Sequence, residues 1–171
     1  VDETGTTASI SAVLTSEPTG DVTVTITGND PSEATLSTTT LTFTPANWNA
    51  AQTVTMTGVD ESVDDGDITF TLTFTPAGAD YGAVTAQSVA VTTIDNDVAG
   101  MTVTPANLTV AESGTTGTFD VVLTSEPTGD VTVTITGNDA SEATLSSTTL
   151  TFTSGTWNSA QTVTVTGVDD F

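Results

Sequence analysis

The sequence predicts an all-β protein made of tandem immunoglobulin-like Greek-key β-sandwich domains. Three observations point there. Apolar residues alternate with threonine at a period of two, turn signals break these runs at short intervals, and the whole pattern restarts once within the chain. Val22, Val24 and Ile26 are expected on one face of a strand, with Thr23, Thr25 and Thr27 on the other. Val54 and Met56 alternate in the same way with Thr53, Thr55 and Thr57, and Phe70, Leu72 and Phe74 with Thr69, Thr71 and Thr73. Val89 and Val91 continue the series, and Phe119, Val121 and Leu123 form a face in the second half. Threonine suits the outer face because it is β-branched and uncharged, whereas carboxylates there would repel one another across strands.

Turns are written between the runs as Glu17-Pro18-Thr19-Gly20-Asp21, Gly28-Asn29-Asp30-Pro31 and Pro76-Ala77-Gly78. No segment keeps a helical spacing. Seven or so strands in about 100 residues is the density of a Greek-key sandwich. Trp48 and Trp157 fall between strands and are expected to pack over a sandwich edge, given the area an indole buries.

The restart is an internal repeat. Val1-Asp2-Glu3-Thr4-Gly5-Thr6-Thr7 returns as Val110-Ala111-Glu112-Ser113-Gly114-Thr115-Thr116, an offset of 110 minus 1, or 109, residues. Leu14 through Asp30 recurs unchanged as Leu123 through Asp139, and Trp48 returns as Trp157. No gap is needed, and roughly three-quarters of the overlapping positions are identical, so the two copies share a fold. The period suits a whole sandwich better than a solenoid coil. The expected division is a first sandwich over residues 1–97, lacking an opening segment, and a second copy over 98–171, cut before its C-terminal part. The chain thus reads as a window on a longer array.

Charge narrows the function. Of 171 residues, 22 are Asp or Glu and none is Lys, Arg or His, giving a formal net charge of -22. No carboxylate can join a side-chain salt bridge, so each is hydrated, bonded to N–H or O–H groups, or neutralised by a cation from solution. Nucleic acid is excluded as a partner, because phosphate binding depends on Lys and Arg. No apolar run approaches the roughly 18 residues of a membrane-spanning helix, so direct membrane insertion is not expected. Without His, Lys, Arg or Cys, nucleophilic triads and most acid–base designs are out of reach, and no enzyme activity is expected.

The acids gather in loops. The densest stretch is Asp60-Glu61-Ser62-Val63-Asp64-Asp65-Gly66-Asp67, whose mutual repulsion calls for a counter-ion. Calcium fits, because it takes six to eight oxygen ligands; zinc would want His or Cys, and the spacing is not that of an EF-hand. A second acidic turn, Ile94-Asp95-Asn96-Asp97, leads into the second copy. Glu3 and Asp30, taken alone, suit solvated turns as well as they suit an ion.

The segments Val1-Asp2-Glu3, Leu41-Thr42-Phe43, Gly58-Val59-Asp60-Glu61, Asp65-Gly66-Asp67-Ile68-Thr69-Phe70 and Ile94-Asp95-Asn96-Asp97 together resemble Calx-β-type repeats. Such repeats occur in sodium–calcium exchangers and in large bacterial surface proteins and adhesins, and the wording here is closest to the bacterial extracellular kind. The resemblance implies a sandwich that binds Ca2+ through loops at one end. It assigns Glu3, Asp30, Asp60, Glu61, Asp65, Asp95 and Asp97 to metal binding in the first copy, and Glu112, Asp139, Asp169 and Asp170 in the second. Ile68 and Asn96 stand where the family usually supplies acids.

The expected role is a structural or adhesive repeat of a bacterial surface protein or filament, stiffened by calcium near domain junctions. Its partners would be neighbouring repeats of the same chain, with lateral or end-to-end self-association into fibres. The alternative is a calcium-dependent glycan-binding module. It would need an exposed aromatic platform beside the ion, for which Tyr81 is the best candidate.

Overall fold

The threonine-alternating runs all become strands. The computed structural model describes residues 1–169 and is all-β, divided into two units. Unit 1 comprises Val1–Glu61 with Asp65–Asn96; unit 2 comprises Ser62–Asp64 with the chain from Asp97 onward. No helix among the described residues is long and apolar enough to cross a membrane.

Unit 1 holds seven strands: β1 (Thr7–Ala12), β2 (Val22–Thr27), β3 (Ala34–Leu36), β4 (Thr40–Phe43), β5 (Gln52–Gly58), β6 (Ile68–Ala77) and β7 (Gln87–Thr93). They form two antiparallel sheets, ordered β1-β5-β3 and β4-β2-β6-β7. The chain changes sheet at each of its first five connections, and only β6 and β7 follow one another within a sheet, which is the Greek-key habit. Val22, Val24 and Ile26 of β2, Leu41 and Phe43 of β4, and Leu72 and Phe74 of β6 are buried. They share one core with Val54 and Met56 of the other sheet, so the two sheets pack face to face. The outward threonines meet in cross-strand hydroxyl pairs, such as Thr69 with Thr92 at 2.9 Å and Ser11 with Thr53 at 3.2 Å.

Unit 2 repeats the plan with β8 (Met101–Thr104), β9 (Thr116–Leu123), β10 (Val131–Thr134), β11 (Ala143–Leu145), β12 (Thr149–Phe152) and β13 (Gln161–Gly167). Its sheets run β11-β13-β9-β8 and β10-β12. Register is preserved between the copies: Ala12 faces Gln52 in unit 1, and Val121 faces Gln161 in unit 2. Two differences matter. Strand β8 lies along the edge of β9, where β1 has no such neighbour among the described residues. Among the described residues, unit 2 has no strands matching β6 and β7, and Val131 and Val133 are only half-buried where Val22 and Val24 are buried. Trp48 and Trp157 are half-buried at equivalent turns, and their carbonyls accept from the N–H groups of Leu14 and Leu123, both at 3.2 Å.

Candidate metal centre

Glu3 is the centre of the site, and the backbone puts it there. Asp2 pairs in parallel with Ile94, just past β7, and the Glu3 N–H donates to the Ile94 carbonyl at 3.2 Å. On the other side the Asp2 carbonyl lies against Gly58, at the end of β5, where any Cβ would collide with it. Glycine at position 58 therefore lets the Asp2–Glu3 backbone close over the sandwich. The result is a glutamate only 1% exposed.

Other acids converge on it. Glu61 follows β5 and Asp65 precedes β6, and one carboxylate oxygen from each of Glu3, Glu61 and Asp65 lies within 4.8 Å of the others. Asp95, after β7, adds like charge, as does Glu33 just before β3. The loop that carries Asp65 is pinned by Gly66, which sits at φ +79°, a conformation glycine adopts without strain. The Gly66 N–H donates to Asp95 Oδ2 at 2.7 Å, and the Asp95 N–H donates to Asp67 Oδ1 at 3.2 Å.

Electrostatics single out Glu3. Burial, and behind it the charges of Asp95, Glu61 and Glu33, push its carboxyl up to about 7 from an ordinary 4.5, and a hydrogen bond from the Asn96 N–H only partly offsets them. Its Oε2 is buried and has no hydrogen-bond partner. An ionised oxygen in that position is costly unless a cation meets it. The chain has no cationic side chain to do so. Every side-chain donor atom in the group is a carboxylate oxygen, a set that suits a hard cation such as Ca2+ and not a soft metal.

The sequence-derived candidates fall into distinct places. Glu3, Glu61 and Asp65 come together, with Asp95 beside them. Asp60 is exposed and outside the group. Asp30 is occupied by its own turn, its Oδ1 accepting from the Ser32 hydroxyl at 2.6 Å and the Ser32 N–H at 3.1 Å. Asp97 opens the second segment of unit 2. There Asp139 repeats the turn of Asp30: the hydroxyl and N–H of Ser141 hold its carboxyl below the usual carboxylate value. Glu112 and Asp169 are exposed, Asp170 lies outside the described residues, and no metal-spaced group forms among the described acids of unit 2.

Glu33 is the residue sequence reasoning missed. It is 6% exposed, its Oε2 accepts from the Thr93 hydroxyl at 2.8 Å, and its carbonyl accepts from the Val59 N–H at 2.9 Å. Its one signal was an acid directly against the apolar Ala34 of a strand, easily overshadowed by Asp30. Tyr81 offers no aromatic platform. It is buried, and its hydroxyl is held by the Ser16 N–H, hydroxyl and carbonyl at 3.1, 2.8 and 2.8 Å.

Comparisons with known proteins add little at this point. No protein-family model matches the chain, and no curated protein matches it. Among solved structures it is similar to the crystal structure of CBD12 from CALX1.2, at 17% identity and a TM-score of 0.43, over 100% of this chain and 72% of that one. A likeness of that size carries nothing about the site, which rests on the residues themselves.

Proposed function

We propose that the chain is a structural or adhesive repeat module of an extracellular surface protein or filament, stabilised and stiffened by calcium bound in its acidic loops. It performs no catalysis of its own. Glu3, Glu61 and Asp65 would hold the ion, with Asp95 contributing charge beside them. The observation that carries the reading is the buried, unpartnered Oε2 of Glu3 within a group of carboxylates. The absence of any cationic side chain supports it, because no internal group can take the ion's place.

The energetics suit an extracellular site. Such sites hold calcium with dissociation constants of about 10⁻⁴–10⁻³ M. Free ion at about 100 times that constant stabilises the folded state by roughly 2.7 kcal/mol. For a sandwich of this size that is a rise in melting temperature of about 10 °C or more. Calorimetry with a calcium titration, against chelator, checks this. Glu3→Gln keeps the shape and removes the charge, and should abolish most of the calcium-dependent rise while leaving the fold intact by circular dichroism. No rise at millimolar calcium in the unmodified chain would sink the proposal.

A further inference from the structure

We infer that unit 1 bears tension through a calcium-locked clamp between its entry and exit segments, a mechanical function that rests on the calcium reading above. Load carried along a tandem array enters unit 1 at Val1 and leaves it after Asn96, where unit 2 follows. Those two segments touch. Asp2 pairs with Ile94 in parallel, the Glu3 N–H donates to the Ile94 carbonyl at 3.2 Å, and the Ile94 N–H donates to the Val1 carbonyl at 3.0 Å. A third link is the hydrogen bond from the Asn96 N–H to the Glu3 carboxylate. The parallel direction decides how these bonds meet a load. Tension draws the entry segment backwards along its own axis and the exit segment forwards, so the two would slide past each other. All the bonds between them are then strained together, whereas segments peeled apart from one end lose them one at a time.

The acids proposed to hold the ion border this seam. Glu3 belongs to the entry segment, Glu61 follows β5 and Asp65 precedes β6, and one carboxylate oxygen from each lies within 4.8 Å of the others. Strand β5 is the middle strand of one sheet. In the other sheet β6 is paired with β7 from Ile68 opposite Thr93 to Phe74 opposite Gln87. Joined through a cation, the three acids tie the entry segment to both sheets, and the segment cannot slide out until Glu3 lets go. The atom placed to make that tie is Glu3 Oε2, which is buried and has no hydrogen-bond partner. No cationic side chain exists to lock the seam in the ion's place. Backbone bonds and metal ligands thus guard one sliding motion, and it is the motion that tension along the array favours.

The test holds the full chain at constant force and times the opening of unit 1, read as a gain of about 300 Å in contour length. The chain has no cysteine, so engineered ones take the handles uniquely. One pair, a cysteine added before Val1 together with Val98→Cys, loads entry against exit; Val98 is 73% exposed. The other pair, Pro31→Cys with Val98→Cys, peels β7 from its end, because the loop of Pro31 lies where β7 finishes, with Glu33 bonded to Thr93. Ala140 stands at the position of Pro31 in the second copy, so this turn forms without proline. Lifetimes under force follow the unfolding rate. In the first pair, calcium at about 100 times its dissociation constant should lengthen the lifetime by up to about a hundredfold, since the ion must be lost before the segments slide. The peeled pair should open at least about tenfold sooner at the same force, its bonds breaking singly. With Glu3→Gln the first pair should open equally fast with and without calcium. Equal lifetimes in the two pulls would overturn the inference, as would a calcium effect that survives Glu3→Gln. A first-pair lifetime indifferent to calcium, in a chain whose melting temperature calcium still raises, overturns the clamp and leaves the calcium reading standing. If calcium changes neither lifetime nor melting temperature, both fall.

Discussion

At the scale of single residues, Glu3 and Asp2 show how neighbouring acids take opposite characters. Asp2 is solvated, and the hydroxyl and N–H of Thr4 stabilise its charged form and lower its pKa. Glu3, one position on, is buried and holds a proton up to about 7. The folded chain therefore binds a proton that the unfolded chain has released between pH 4.5 and 7. The stability this lends is fully present below the lower value and is lost as pH rises through the upper one. Without calcium, the melting temperature of unit 1 should fall between pH 5 and pH 8. Saturating calcium should remove that fall, because the ion replaces the proton and releases it, and Glu3→Gln should flatten the profile without any ion. Calorimetry across pH distinguishes the three. The acids of the loop cluster were legible as a group in the sequence, since charge density alone marks them. Which acid would be buried was not, because burial of Glu3 depends on Gly58, Ile94 and Asn96, which come close only once the sheets have formed.

Individual strands were the most legible elements. Alternation fixes which face each residue takes, and a slip of one residue would turn the core set outward, so β2, β5 and β6 follow directly from the pattern. Short pieces such as β3 were harder to see, since three residues give no period, and Glu33 was overlooked with it. The close approach at the end of β5 yields a matched pair of tests. Gly58→Ala would drive a Cβ into the Asp2 carbonyl, and Gly167→Ala would do the same to the Ala111 carbonyl. Each should cost about 1–3 kcal/mol through overpacking. Only the unit 1 change should also weaken the calcium response, because only there does the displaced backbone carry a buried glutamate. Melting curves with and without calcium read both effects.

Over the whole molecule, charge and strand are kept apart. Asp120 is the single acid within any strand among the described residues, and Thr162 donates its hydroxyl to it at 2.6 Å. The repulsion of a chain of charge -22 is thus concentrated in loops exposed to ions. Sodium chloride should raise the melting temperature gradually, as screening shortens the reach of those charges. Calcium should act at millimolar concentration and then saturate, so the shapes of the two curves separate screening from a site. The repeat made the shared register of the units legible; the division of the acidic loop, with Ser62–Asp64 in unit 2, was not, since it depends on bonds such as Glu126 N–H to the Ser62 carbonyl at 2.6 Å. The identity between copies has a consequence for how the chain reaches this state. Strands β2 and β10 share the sequence Val-Thr-Val-Thr, and β4 and β12 are both Thr-Leu-Thr-Phe. A crossed pairing of β2 with β12 would make the same contacts as the native β2 with β4. What separates them is the length of chain to be closed, about a tenth as long in the native case, a difference of about 2 kcal/mol. During refolding, the choice between correct and exchanged partners therefore rests on how soon neighbouring strands meet, and side-chain chemistry does not decide it.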